Sequence, residues 1–595
     1  MMTEIQNKTY TITIGVDDFK TIARNNNLFV DKTSFISTLL GSGYSVTLIT
    51  RPRRWGKTLN MTMLEYFFGI PVHKDGSLNV EEQSKKRDVF SQLKIGSRPD
   101  ILKNYLGKFP VIFVSFKEIK GKNYETIEKG VRDLIYEIFA RHEYLLQSIN
   151  LSERQKNLFH KFITKDFDSA ELQHSFFYLS EMLYMHFGQK VIILIDEYDT
   201  PLNDWYALQL ARDTFGSEED EYFQDVLGLF RGIFSKALKG NTHLEKSVVT
   251  GILRVAKANL FSGINNFGED SILDKKYAEH FGFTEEEVNL VLHKSCIDKN
   301  PETAQTLKSW YNGYNIGGIT IYNPWSIMNC LENNGEFKAY WVGTANTALI
   351  ERALILDKFQ TEIQMLIEGE SVDMIADPKM VFADIKSSPN ALYNLLLFSG
   401  YLTAEKAKLA MDGITYICQV KIPNYEVRGV FMTSSAAWVE SKFKTDARDY
   451  KAFVTKLLSG DVPKFIETLK SYLNASASYF DSGLKQGEIL YNGFMWGLFA
   501  SSVNEDYFVE KERETRKGRA DLLIIPKDSA PFPFAVILEY KIASKGEDLK
   551  TVAQLALDQI EAKEYASKIK SYPHVEKIIR VGLAFSGKDV EGTFK

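Results

Sequence analysis

The sequence predicts an α/β multidomain protein: an N-terminal α/β domain on a parallel sheet, a helical middle domain, and a second α/β domain at the C-terminus. Short apolar runs recur at 46–49, 111–116, 191–195 and 248–253 with helical periodicity between them. Strands buried on both faces and joined by crossover helices give that pattern. From about 471 the alternation returns, with a helical stretch at 486–500, strand-like runs at 522–525 and 534–539, a helix at 549–567 and a strand at 578–585. At 595 residues the chain is well past the size at which one hydrophobic core keeps growing, so two to four domains are expected. The boundaries drawn from these shifts are 1–270, a helical lid or winged-helix-like domain at 271–400, a connecting region at 401–470, and 471–595.

Composition narrows the class. Hydrophobic residues make up 44% and charged residues 25%, ordinary for a soluble globular protein. No apolar run reaches eighteen residues, so no membrane helix or membrane partner is expected. The opening MMTEIQNKTYTITIG lacks the basic-then-apolar pattern of a secretory signal. Three cysteines (Cys296, Cys330, Cys418), far apart and without CxxC spacing, argue against a disulfide framework or a structural zinc. A reducing, cytoplasmic location is the expectation. The net charge of −5 argues against a uniformly basic coat but leaves room for a local basic groove.

Residues 46–65 read VTLITRPRRWGKTLNMTMLE. A phosphate-binding loop needs a strand, a turn of exposed backbone N–H groups and a helix N-terminus with lysine. VTLIT supplies the strand, LNMTMLEYFF the helix, and Gly56, Lys57 and Thr58 stand at the junction. Lys57 would reach the β- and γ-phosphates of ATP and the Thr58 hydroxyl would ligate Mg²⁺. Arg51 replaces the usual first glycine, which limits positive φ there, while Arg53 and Arg54 add charge near the phosphates. VIILIDEYDTPL (191–202) is an apolar strand ending in acids. Asp196 fits the residue that holds Mg²⁺ through water, and Glu197 the base that orients the attacking water. A further buried strand in SVVTGILRVAK (247–257) ends in Thr250 and Arg254, candidates for sensing the γ-phosphate, although Arg254 could equally cap a helix.

These motifs carry a resemblance. GVDDFKTIARNNNLFVDKTSFISTLL (15–40), RPRRWGKT, FPVIFVSF (109–116), IDEYDTPL and WYNGYNIG with IYNPWSI (310–327) resemble the predicted AAA-ATPase-like family of bacterial proteins. That family's loop is RPRRFGKS or close to it. The resemblance spans roughly 5–330. It implies a P-loop NTPase fold related to signal-transducing ATPases, and makes Arg51 the family's normal residue.

The second site lies in GRADLLIIPKDSAPFPFAVILEYK (518–541). Asp521 opens one strand, and Glu539 and Lys541 close the next on one face, two residues apart. A hairpin through the proline-rich loop 526–533 would bring Asp521 towards them. Carboxylate oxygens suit Mg²⁺ or Mn²⁺, and a lysine beside the metal could orient a hydrolytic water. The spacing alone has little specificity, since any acidic hairpin supplies it. Glu488, in the amphipathic GEILYNGFMWGLF, offers another carboxylate. Gln559, Lys563 and Tyr565 lie in AQLALDQIEAKEYA, with the first two at i, i+4 on one side. Together GRADLLIIP, ILEYK, ALDQIEAKEYA and VGLAFSGK resemble the PD-(D/E)XK nuclease superfamily over about 485–588, which implies a restriction-endonuclease-like domain. The resemblance puts Asp521, Glu539 and Lys541 in the catalytic positions, Glu488 as the helix carboxylate and Gln559 as the auxiliary residue.

Between 330 and 470 no constellation carries chemistry. Trp310, Tyr311 and Trp325 could stack bases, but the surrounding glycines and proline point to a packed junction. The function expected is a nuclease acting on nucleic acid, DNA foremost, gated by ATP and Mg²⁺. A signalling or scaffold ATPase whose C-terminal domain binds without cutting is the alternative. A homo-oligomer is left open.

Overall fold

A computed structural model of the chain describes residues 10–25, 27–203, 217–253, 266–295, 301–341, 369–378, 389–443, 447–475, 506–510, 522–544, 546–562, 572–586 and 589–595, with the isolated positions 261, 264, 350, 362, 363, 365–367 and 569. It divides into two units, one of Met1–Leu349 with Asp373–Val427 and one of Ile350–Val372 with Arg428–Lys595. No helix among the described residues is long and apolar enough to cross a membrane.

The apolar runs of the first unit become β1 (Val46–Thr50), β2 (Val111–Ser115), β3 (Val191–Asp196) and β4 (Leu244–Gly251). A fifth strand, β5 (Phe267–Asp270), completes a parallel sheet in the order β2-β3-β4-β1-β5. Every residue of β1 and β3 is buried, as the continuous apolar runs require when helices cover both faces. The helix Lys57–Phe68 lies against β3, where Leu64, Phe67 and Phe68 share a core with Ile192, Leu194 and Val248. Because β4 separates β1 from β3, its end stands between the loop that follows β1 and the acids that follow β3. In open parallel sheets ligands bind outside the carboxyl ends of the strands.

The stretch expected to be helical contains the helices Glu285–Ser295, Pro301–Tyr311, Pro324–Glu332 and Pro389–Phe398. Thr284 and Glu287 start the first of these with a reciprocal capping box, Thr284 N donating to Glu287 Oε2 and Glu287 N to Thr284 Oγ1. YNGYNIGG forms a hairpin of β6 (Tyr314–Ile316) and β7 (Ile319–Ile321), and Gly317 and Gly318 turn it with positive φ. The same unit holds β8 (Val372–Ala376), β9 (Thr403–Leu409) and β10 (Tyr416–Lys421) in the order β8-β10-β9.

The second unit has its own sheet of β11 (Tyr507–Glu510), β12 (Leu522–Pro526), β13 (Phe534–Ile542), β14 (Lys577–Ser586) and β15 (Asp589–Phe594), in sequence order. β12 and β13 form the expected hairpin, with Leu522 opposite Leu538 and Ile524 opposite Val536. β13 and β14 are parallel, a pairing that needs a crossover, and the helix Leu549–Ala562 lies within it. Alternate residues bury on opposite faces. Leu522, Ile524, Val536 and Leu538 meet Phe453, Phe465 and Leu469, while Leu523, Ile525 and Ile537 meet Leu557 and Ile560.

Candidate active sites

At the end of β1 the backbone turns through Arg54 (φ 66°) and Gly56 (φ 75°) before the helix begins at Lys57. Left-handed φ therefore falls at 54 and 56, leaving position 51 free to be something other than glycine. Arg51 points inward and is fully buried. Its Nη2 donates to Asp270 Oδ1 at 2.6 Å, its Nη1 to the Thr50 carbonyl at 2.8 Å, and its guanidinium lies 5.5 Å from the centre of the Phe281 ring. Arg51 is thus a strut between the loop and β5.

Lys57, 3% exposed, donates to the carbonyls of Arg51 (3.1 Å) and Pro52 (3.0 Å), and its Nζ lies 3.6 Å from Glu197 Oε1. Thr58 Oγ1 donates to Asp196 Oδ2 at 2.7 Å, and Thr250 Oγ1 donates to Asp196 Oδ1 at 2.6 Å. One buried carboxylate thus joins the helix after β1, the end of β3 and the end of β4. Burial pushes the Asp196 carboxyl above its ordinary range against the pull of those hydroxyls. Burial acts the same way on Glu197, but the Lys57 ammonium, the Thr200 hydroxyl and Arg53 outweigh it and hold Glu197 below the usual carboxylate value. Glu197 has φ 53°, a left-handed conformation that is uncommon outside glycine.

Asp199, which the motif reading passed over, clamps the end of β4. Its Oδ2 accepts from Ile252 N (2.9 Å), Leu253 N (2.8 Å) and Asn203 Nδ2 (2.7 Å), while Tyr198 Oη donates to the Leu253 carbonyl. A Cβ at Gly251 would stand 2.6 Å from Asp199 Oδ1, so only glycine lets this contact close. The available signal was the third acid, the closing aspartate of DEYD at the end of an apolar strand. Arg254 lies outside the described residues.

The loop lines a cleft of about 460 Å³ with Arg53, Arg54, Lys57 and Thr58 at one wall and Phe29, Val30, Phe283 and Met328 at others. Two tryptophans grip the loop. The Arg54 guanidinium sits 4.0 Å over the Trp325 ring, and Trp341 Nε1 donates to the Arg53 carbonyl at 3.1 Å. Of the aromatics considered for base stacking, Tyr311 is fully buried, Trp310 lies against Phe337 and Tyr425, and Trp325 Nε1 donates to the Tyr340 carbonyl. A basic-walled cleft at a helix N-terminus suits a polyphosphate. The adjoining hydroxyl of Thr58 and carboxylate of Asp196 are hard-oxygen donors of the kind Mg²⁺ takes together with waters. Among the described residues no group of three or more His, Cys, Asp or Glu side chains is placed to hold a metal without further donors.

In the second unit, Glu539 and Lys541 share a face near the end of β13, opposite Gly582 and Ala584 of β14. Gln559 reaches them from the crossover helix, its Nε2 donating to Glu539 Oε1 and its Oε1 accepting from Lys541 Nζ at 2.6 Å. The helix comes this close because of Gly582, where a Cβ would lie 2.4 Å from the Ala553 carbonyl oxygen and 2.5 Å from Leu557 N. Glu539 is 3% exposed, a buried hard-oxygen donor beside a cation. Glu488, Asp521 and Lys563 lie outside the described residues.

Comparison with known proteins gives two regional matches. Residues 13–261 match the family described as predicted AAA-ATPase, and residues 486–593 match the PD-(D/E)XK nuclease superfamily. An Azotobacter chroococcum mcd 1 protein, described as an uncharacterized protein in the vnfD 5′ region, is 24% identical over 581 residues, 96% of each chain. No solved structure matches.

Proposed function

Since the chain joins an AAA-ATPase-like region to a region of the PD-(D/E)XK nuclease superfamily, we propose that it is an ATP-controlled, metal-dependent nuclease acting on nucleic acid, with DNA as its substrate. On this reading residues 1–270 bind ATP, 271–400 form a lid, 401–470 connect, and 471–595 cut. The loop N–H groups with Lys57, Arg53 and Arg54 take the phosphates, and Gly56 permits the turn. Thr58 and Asp196 hold Mg²⁺, which when bound offsets phosphate charge. Glu197 orients the water that attacks the γ-phosphate, and Thr250, with Arg254, reports the presence of that phosphate through Asp196.

In the second unit Asp521 and Glu539 hold Mg²⁺ or Mn²⁺, which supplies an activated water and charge neutralisation at the scissile phosphate. Lys541 orients that water, Gln559 fixes Glu539 and Lys541 relative to each other, and Glu488 and Lys563 flank the substrate. ATP serves gating, because phosphodiester hydrolysis is already downhill. The observation that carries the reading is the Glu539–Gln559–Lys541 arrangement, in which a carboxylate and a lysine are held side by side by one amide.

The test is cleavage of labelled single- and double-stranded DNA with Mg²⁺ or Mn²⁺, with and without ATP, by the intact protein and by Lys541→Ala. Cleavage that requires the metal and drops at least a hundredfold in the variant is expected. Equal inertness of both proteins, beside ATP turnover abolished by Lys57→Ala, would move the assignment to a signalling ATPase.

A further inference from the structure

The Trp341 grip on the nucleotide loop continues to a buried carboxylate that neither motif contains. Trp341, whose indole holds the Arg53 carbonyl, donates its backbone N–H to Glu426 Oε1 at 2.6 Å. Ser326, next to the tryptophan that carries Arg54, donates its hydroxyl to Glu426 Oε2 at 2.7 Å. Two neighbouring loop residues are therefore held by two tryptophans whose segments both end on one carboxylate. Gly400 tightens the same contact. A Cβ there would approach Pro52 Cβ to 2.9 Å, and its φ of 89° disfavours any side chain. Trp341 packs edge-on against Tyr401 with ring centres 5.2 Å apart.

Glu426 itself is fully buried, and burial pushes its carboxyl up to about 7. A buried carboxyl is costly unless its hydrogen bonds are met, so the site is built to hold one arrangement of the three segments. It also stands at a particular place in the chain. Glu426 is the second residue of the helix Tyr425–Phe443, and the division between the two units falls two bonds later, between Val427 and Arg428.

We propose that Glu426 is a positioning residue for the nucleotide site, reading the state of the loop through Trp341 and Ser326 and passing it into the helix Tyr425–Phe443. This rests on the ATP reading above. When phosphate groups draw the loop N–H groups and Lys57, the carbonyl of Arg53 shifts with the loop. The indole that donates to it must follow or let go, and either changes the hold on Glu426 and the first turn of the helix. The helix Tyr425–Phe443 is the element through which ATP occupancy leaves the first unit.

The test is hydrogen exchange on the full chain with and without saturating ATP·Mg²⁺, read in peptides covering 51–58 and 425–443. The intact protein is expected to slow exchange at 51–58 and to change it at least threefold at 425–443. Trp341→Phe keeps the ring but loses the indole N–H. It should keep the response at 51–58 and lose most of that at 425–443. Glu426→Ala should behave likewise, and Glu426→Gln, which still accepts from Trp341 N–H, should restore the response. Should Glu426→Ala fail to fold, Trp341→Phe with Glu426→Gln still decides the matter. Protection at 51–58 with no response at 425–443 in the intact protein would overturn this inference alone, as would equal helix responses in intact protein and Trp341→Phe. No protection at 51–58 would overturn the ATP reading and this inference with it.

Discussion

Arg51 carries the clearest stability consequence among single residues. Its guanidinium and the Asp270 carboxylate are both out of water, and removing one partner of a buried pair leaves the other uncompensated. Arg51→Met is expected to lower unfolding stability of the first unit by roughly 3–5 kcal/mol, read as a fall in its denaturation midpoint. Restoring neutrality with Arg51→Met/Asp270→Leu should recover most of the loss. Asp199 gives a pH prediction. Burial raises its folded-state pKa to about 6, above the unfolded value, so its favourable contribution is complete at low pH and fades as pH rises through about 6. Asp199→Asn should therefore compare better with the intact protein at pH 7 than at pH 5 in thermal unfolding. The motif residues were legible because each is local, a loop or a strand end with its own signature. Arg51–Asp270 and Trp341–Glu426 were not, because their partners are 219 and 85 residues apart in sequence and Asp270, Trp341 and Glu426 belong to no local pattern.

For the elements, apolar runs and helical periodicity located four of the five strands of the first sheet and, in the C-terminal sheet, β12, β13 and β14 with the helix Leu549–Ala562 between the last two, but not β11 or β15. β5 escaped for a physical reason. Its sequence FGED has one apolar residue, and it sits in the sheet on the strength of parallel pairing with β1 and the Arg51–Asp270 bond rather than by burying an apolar face. The stretch 401–470, expected only as a connecting region, opens with the antiparallel hairpin β9–β10. In the second unit the crossover helix depends on Gly582. Gly582→Ala must push the helix Leu549–Ala562 off β14 by several tenths of an ångström or more, at a cost of about 1–3 kcal/mol for overpacking. Because Gln559 rides on that helix, the same change should reduce cleavage at least tenfold while circular dichroism stays native-like. Native-like cleavage would mean Gln559 does not set the geometry of Glu539 and Lys541.

For the whole molecule, the first unit's cores are built from residues such as Phe35, Phe67 and Val248 and the second's from residues such as Phe465, Val536 and Leu583, so each has its own cooperative interior. Calorimetry of the full chain is expected to show two transitions. ATP·Mg²⁺ at a hundredfold above its Kd should stabilise the one belonging to the first unit by about 2.7 kcal/mol. Lys57→Ala should abolish that shift without moving the other transition. A shift that survives in Lys57→Ala would place ATP elsewhere.

The inward turn of Arg51 also leaves a mark that natural variation can reveal. The acid at 270 exists in its buried place because of the cation at 51, and a descendant that regained glycine at the head of the loop would be left with a stranded charge on its edge strand. Positions 51 and 270 should therefore drift as a pair across related genomes, the acid disappearing where the arginine does, whatever becomes of the lysine and threonine that follow.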